Sequence, residues 1–186
     1  RQGLVRIARL IRFDSRVAAT LLESVKHPQG SLEDAALHAG IAEIRRWVFQ
    51  QAAMALVPRT EGRLDRDAFW KHAFTCAELA GRLAAQRNSP WRNEAYVAGL
   101  LHDIGKLILD AAAPEGYSKT LEASHSHALH ILEAEQRTLG VDHGLAGKWA
   151  AEYWNLPEPY VAALWLHHHP ENVLDSTLYP VDLIAL

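Results

Sequence analysis

Apolar residues recur three or four positions apart along most of this chain, and no segment sustains the apolar–polar alternation between turn residues that marks a strand. The pattern predicts an all-α protein without internal repeats. Over residues 4–26 two short helices are expected, one carrying Leu4, Ile7, Leu10 and Ile11 and the other Val17, Leu21, Leu22 and Val25, with Asp14-Ser15 as the cap between them. His27-Pro28-Gln29-Gly30 breaks the pattern, Ser31 followed by Glu33 and Asp34 opens a short helix that Gly40 ends, and a further helix runs from Ile41 through Ile44, Val48, Met54 and Leu56 to the stop at Pro58. The stretch 58–64, PRTEGRL, sets Pro, Thr and Gly between helical patterns. It is the expected boundary between an N-terminal helical subdomain, residues 1–64, and a helical bundle, residues 65–186.

In the second part, Asp65 is read as the cap of a long helix to about Arg87, with an inner stripe of Phe69, His72, Cys76, Leu79 and Leu83. After the turn NSPWRN comes AYVAGLLHDIGKLIL, residues 95–109, apolar on every side and therefore predicted to be one buried helix. Pro114-Glu115-Gly116 breaks the pattern, which resumes from about Leu121 to Leu139 and ends at Gly140. Asp142 caps the next helix, whose small-residue face holds His143, Ala146, Gly147 and Ala150. Pro157 starts another, with Val161, Leu164 and His168 on one side, that closes in His167-His168-His169-Pro170. A last helix begins near Ser176 and sets Asp182 between Val181 and Leu183.

The central helix raises a chemical question. Burying the Asp103 carboxylate beside His102 costs several kcal/mol unless a cation, a metal ion or strong hydrogen bonds compensate it. Lys106 stands one turn beyond His102 on the same face, and Gly105 between them permits close approach of a backbone or a ligand. A lone His-Asp pair is most often a satisfied core pair, and each histidine taken singly is more often a core or surface residue. Yet His72, His102, Asp103, His143, His167, His168 and Asp182 fall on buried faces of several different helices. Inward side chains converging from separate helices build the metal sites of helical bundles. Imidazole and carboxylate donors without thiolate suit Fe, Mn, Ni, Co or Zn, as one or two ions.

Composition narrows the partners. A net charge of −3 and a pI near 6.4 give no global attraction to nucleic acid or an anionic membrane. Arg6, Arg9, Arg12 and Arg16 make a local basic stripe, read as a solvated face, and no nucleic-acid partner is expected from it. The single cysteine excludes an internal disulfide and a Cys-rich zinc site, which fits a reduced cytoplasm. No apolar run approaches a membrane span and no signal sequence opens the chain. Opening on Arg1 and closing at Leu186 in an apolar stretch, the sequence is expected to be part of something longer.

The same residues carry a family resemblance. One His, an adjacent His-Asp pair and a later Asp, here His72, His102-Asp103 and Asp182, resemble the metal-ligand pattern of the HD superfamily of phosphohydrolases. His143, His167-His168 and Lys106 match the additional residues of its HD-GYP branch. The phrases IRFDSRVAATLLESV, AFWKHAFTCAELAGRLA, YVAGLLHDIGKLIL, LGVDHGLAGKWAAEYWNLP and LWLHHHP extend the likeness along nearly the whole chain, and identify it as similar to the HDOD family of HD-related output domains in bacterial signalling. The resemblance implies N-terminal helices packed on an HD-like bundle, and a regulatory partner such as an EAL or receiver module in the same or another chain.

Two functions follow from the resemblance. In the first, the domain is a signalling output module, linked to cyclic-di-GMP signalling, that retains a metal pocket. In the second, it hydrolyses a nucleotide or other phosphate ester. There His72, His102, Asp103 and Asp182 would hold one ion, Asp103 would bridge to a second held by His143, His167 and His168, and Lys106 would neutralise phosphate charge. The sequence departs from HD-GYP proteins in two places. Ala68 stands where a third metal would need Glu, and HPENVLDS follows the His-His pair without a GYP stretch. Asp182 follows His169 by only thirteen positions, so cyclic-di-GMP hydrolysis is not expected.

Overall fold

Helices supply all the regular structure among the described residues, and no strand occurs among them. The computed structural model describes residues 31–57, 62–87, 89, 91–126 and 129–172. The helices expected over 4–26, the arginine stripe and the last helix with Asp182 lie outside these residues. The chain divides between Leu56 and Val57 into two compact units.

In the first unit, α1 (Leu32–Leu56) opens on a reciprocal cap. The Asp34 amide donates to Ser31 Oγ at 3.1 Å, and Ser31 Oγ donates to Asp34 Oδ2 at 2.7 Å. Gly40, where the sequence pattern ends one helix and begins another, has φ 81° and ψ 167°, a conformation open essentially to glycine alone. It divides α1 into two arms at a kink. Ala35, Ala36, Ile44, Trp47 and Ala53 are buried, whereas Val48, expected on the same inward face as Ile44, is exposed.

The second unit contains α2 (Arg66–Gln86), α3 (Arg92–Leu101), α4 (Ile104–Ala112), α5 (Pro114–Ser126), α6 (Ile131–Leu139), α7 (His143–Tyr153), α8 (Glu158–Leu166) and a short 3-10 turn at Pro170–Asn172. Asp65 caps α2 by accepting from the amides of Asp67 and Ala68, both at 3.0 Å. Asp142 caps α7 by accepting from the Leu145 amide at 2.8 Å. Each such cap contributes about 1 kcal/mol and fixes where its helix starts.

Three sequence expectations are corrected here. The buried face of α2 is made of Ala73, Ala77, Ala80 and Ala84 with Phe69 and Trp70, while Leu79 and His72 are exposed. Alanines win that face because α3 lies very close: a Cβ on Gly99 would fall 2.9 Å from the Cys76 carbonyl oxygen and 3.0 Å from Ala77 Cα. Next, the apolar stretch 95–109 is two helices, α3 and α4, broken at His102-Asp103, where Asp103 has φ −95° and ψ 4°. Finally, Pro114 begins a helix rather than a loop, since proline lacks only an amide that the first turn leaves unpaired anyway.

The helices pack as neighbours α2 on α3, α4 on α7, α5 on α6, and α8 on both α7 and α3. Leu100, Ile104, Leu107, Leu164 and Tyr117 are almost wholly buried, each aliphatic contributing about 2 kcal/mol by leaving water. The tightest approach is at Gly105, where a Cβ would lie 1.9 Å from the His143 carbonyl oxygen. Gly105 therefore admits a backbone, and this brings the α3–α4 break directly onto the start of α7. Asp110, fully buried, anchors the segment before α2 by accepting from the amides of Arg63 at 2.7 Å and Leu64 at 3.3 Å.

Candidate metal centre

The break between α3 and α4 turns Asp103 into the bundle, where it is 2% exposed and ringed by histidines from three directions. On one side, Asp103 Oδ2 lies 3.4 Å from His72 Nε2 of α2 and 3.4 Å from His102 Nε2. The Lys106 ammonium, from the first turn of α4, donates to the same oxygen at 2.6 Å. On the other side, Asp103 Oδ1 lies 3.2 Å from His143 Nε2 at the start of α7 and 3.6 Å from His167 Nε2 at the end of α8. His168 closes that side, with Nε2 3.1 Å from His143 Nε2.

The ring orientations are set from behind. His102 Nδ1 donates to the Gly99 carbonyl at 2.8 Å, and His167 Nδ1 donates to the Leu164 carbonyl at 3.0 Å. His143 Nδ1 donates to Glu135 Oε2 at 2.7 Å. A carbonyl or carboxylate oxygen only accepts, so each neutral ring keeps its proton on Nδ1 and turns a bare Nε2 lone pair inward. Histidines held in this way are prepared metal ligands. Glu135 is itself fully buried and also accepts from the His143 amide at 2.8 Å and the Tyr117 hydroxyl at 3.1 Å.

Electrostatics divides the cluster. Burial opposes ionisation of Asp103, but the imidazoles of His143, His167 and His72 outweigh it and hold the carboxyl well below its usual range. Burial likewise opposes a charge on His143, yet Asp103 and Glu135 overcome it and raise its pKa. Burial pushes His102 down to about 4, and burial together with His167 and His143 pushes His168 down to about 3. The Cys76 thiol is raised, mainly by burial and then by Asp103.

A divalent cation fits this arrangement. Asp103 Oδ1 is buried without a hydrogen bond of ordinary geometry, although two imidazole nitrogens face it. An orphaned anionic oxygen costs several kcal/mol, and a cation among the bare nitrogens removes that cost. Asp103, His143, His167 and His168 offer ligand atoms within 4.8 Å of one another, as do His72, Cys76 and His102. Asp103 touches both groups.

Of the sequence candidates, His72, His102, Asp103, Lys106, His143, His167 and His168 thus share one neighbourhood, and Asp182 lies outside the described residues. Lys106 faces Asp103 rather than His102. Two participants carry little signal in the sequence: Cys76, a donor one turn after His72, and the Glu135–Tyr117 pair behind His143. A cleft of about 420 Å³ opens on Asp103, His72 and Lys106 and is also lined by Arg63, Ala68 and His125. Ala68 offers no ligand there. A smaller cleft of about 230 Å³ reaches His168 from the side of Asp142 and Trp165.

An all-helical bundle with a His-Asp pair at a helix break and histidines converging on it defines an HD-related domain. The HDOD domain family matches residues 2–170, and the chain belongs to that family. A Treponema pallidum (strain Nichols) protein named only as uncharacterized is 26% identical over 141 residues, which are 74% of this chain and 27% of that protein. An HDOD domain protein of unknown function from Geobacter sulfurreducens superimposes with a TM-score of 0.86 at 25% identity, over 98% of this chain and 63% of that one. A Shewanella amazonensis SB2B protein, named provisionally as a phosphohydrolase, gives 0.75 at 24% identity, over 97% and 66%. The MmoQ response regulator of Methylococcus capsulatus strain Bath gives 0.58 at 24% identity, over 97% and 74%. The chain thus spans only part of these longer relatives. Among the described residues, no helix is long and apolar enough to cross a membrane.

Proposed function

We propose that this domain is a cytoplasmic output module of bacterial signal transduction that holds one or two divalent transition-metal ions and does not hydrolyse cyclic-di-GMP. The observation that carries the metal assignment is the inward set of Nε2 atoms on His102, His143 and His167, bare in the neutral rings, around the orphaned Asp103 oxygen. Membership of an output-domain family supports the signalling role, as does the likeness in fold to a response regulator. The partner on this reading is another signalling protein or module, of the receiver or EAL kind.

A second reading, phosphate-ester hydrolysis, is favoured by the cleft over Asp103. Bound metal would supply water activation and charge neutralisation there. Lys106 and Arg63 bring positive charge to the cleft wall, where a phosphate group would sit. Chemistry also needs the ester held for in-line attack, worth many kcal/mol, and metal ligands alone do not provide that.

Turnover assays on Mn- and Fe-loaded protein against cyclic-di-GMP and a nucleotide panel, with His102→Ala as control, separate the two. The output reading expects no turnover. Cyclic-di-GMP hydrolysis that disappears in the control would overturn it, and hydrolysis of another nucleotide alone would place the domain with the phosphohydrolases.

A further inference from the structure

We propose that Cys76 is a metal ligand, and that with His72, His102 and Asp103 Oδ2 it forms a four-donor position selective for Zn²⁺ or Co²⁺ over Mn²⁺ and Mg²⁺. The proposal rests on the metal-centre reading above and extends it to a donor that gives one half of the centre a different chemistry from the other.

Spacing on α2 is the first support. His72 and Cys76 stand one turn apart, and Cys76 Sγ lies 3.6 Å from His72 Nε2. The second is the neighbouring geometry, because His72 Nε2 and His102 Nε2 are 3.3 Å apart and each is 3.4 Å from Asp103 Oδ2. Around a tetrahedral zinc ion with bonds of ~2.0–2.1 Å to nitrogen or oxygen and ~2.3 Å to sulfur, donors sit about 3.4 Å apart, or about 3.6 Å where one is sulfur. These four separations therefore already have the size of a tetrahedron's edges, and the Cys76 sulfur lies within 4.8 Å of the His102 ligand nitrogen.

Position on the backbone gives independent support. Gly99 lets the α2 backbone at Cys76 press against α3, since any Cβ there would strike the Cys76 carbonyl. The same Gly99 accepts the His102 Nδ1 proton through its own carbonyl. One glycine thus brings the sulfur-bearing turn close and aims the buried His102 Nε2 into the space beside it. Lys106 does not block the position, because an ionised carboxylate oxygen has a second lone pair for a metal. On binding, the sulfur–metal bond forms as the Sγ–H proton passes to water. A thiolate favours Zn²⁺ and Co²⁺, while the all-imidazole and carboxylate side keeps harder chemistry.

Cobalt substitution of the chain tests this directly, because its single cysteine leaves one source for any sulfur-to-cobalt charge-transfer band. Protein titrated with Co²⁺ is expected to show that near-ultraviolet band. Cys76→Ser and Cys76→Ala should lose it, bind Zn²⁺ at least about tenfold more weakly, and retain their helical circular dichroism. Zn²⁺, but not Mg²⁺, should protect the wild-type thiol from a thiol-specific reagent. Stoichiometric cobalt binding without the band would overturn the thiolate assignment and leave the metal centre standing, whereas absence of any cobalt binding would overturn both.

Discussion

The two sides of Asp103 are built differently. On the His143 side all but the half-buried His168 is buried and wired: Glu135 accepts from two atoms of His143 and from Tyr117, and no part of His143 or Glu135 reaches solvent. On the His72 side the imidazole is 55% exposed and faces a cleft, and Cys76 is only partly covered. Both sides offer converging donors, but one is sealed inside the fold and the other opens to the cleft. The closed side therefore fixes the carboxylate in place and the open side is where metal exchange or a ligand would act. Substitutions should consequently have opposite profiles, with stability lost on the closed side and binding lost on the open one.

The largest effect is expected at Glu135. Glu135→Ala leaves the buried Tyr117 hydroxyl and His143 donors unmatched and should cost about 3–5 kcal/mol. In a chain of this size that lowers the thermal midpoint by roughly 10 °C, read by calorimetry on metal-free protein. A loss below 1 kcal/mol would deny the closed side its structural role. Close behind is Gly105→Ala, in which the new methyl meets the His143 carbonyl and must push α4 from α7, for about 3 kcal/mol in urea unfolding. An unchanged midpoint would contradict the close packing of these helices.

Acid should act on the metal-free cluster with a definite sign. Folded His102 takes a proton only near pH 4, while the unfolded chain takes it near 6.5, so the unfolded state binds more protons in between. Stability is thus expected to fall by up to about 3 kcal/mol as pH drops from about 6.5 to about 4. The depressed pKa of Asp103 removes more below its ordinary value of 3.8. His143, raised in the fold, contributes fully below pH 6.5 and loses its contribution as pH rises through its folded value. Denaturation midpoints measured across pH should peak near 6.5, and a flat profile would show that the buried histidines titrate normally.

His72→Ala, on the open side, is the smallest structural change. The unfolding free energy should stay within about 0.5 kcal/mol, since the side chain is largely solvated. Its Zn²⁺ affinity, by titration calorimetry, should fall tenfold or more. A stability loss as large as that of Glu135→Ala would erase the distinction between the two sides.

Much of the donor set was legible because histidine on an apolar helical face is unusual, and His102, His143 and His167 each interrupt runs of apolar or small residues. Asp65 and Asp142 announced their helices through ordinary capping chemistry. The break at His102-Asp103 was hidden, since Leu, Ile and Gly on both sides read as one apolar helix and the turn depends on α7 meeting Gly105. The buried face of α2 is hidden for a related reason: alanines carry a weak hydrophobic signal, and only the approach of α3 makes them the core. Glu135 sits in EAEQR, which looks like a solvated face, and its burial follows from His143 and Tyr117, distant in sequence. Cys76 is silent in the sequence because one cysteine says little until its neighbours are known.

Asp103 is the joint between the two sets of donors. Its most direct test is metal content per chain, measured by plasma mass spectrometry on wild type and Asp103→Ala purified without chelator or imidazole, alongside circular dichroism. At least one divalent transition-metal ion per wild-type chain, falling to a small fraction of that in a variant that stays helical, is the expected result. Metal-free wild type, or a variant that keeps the full complement, would contradict it.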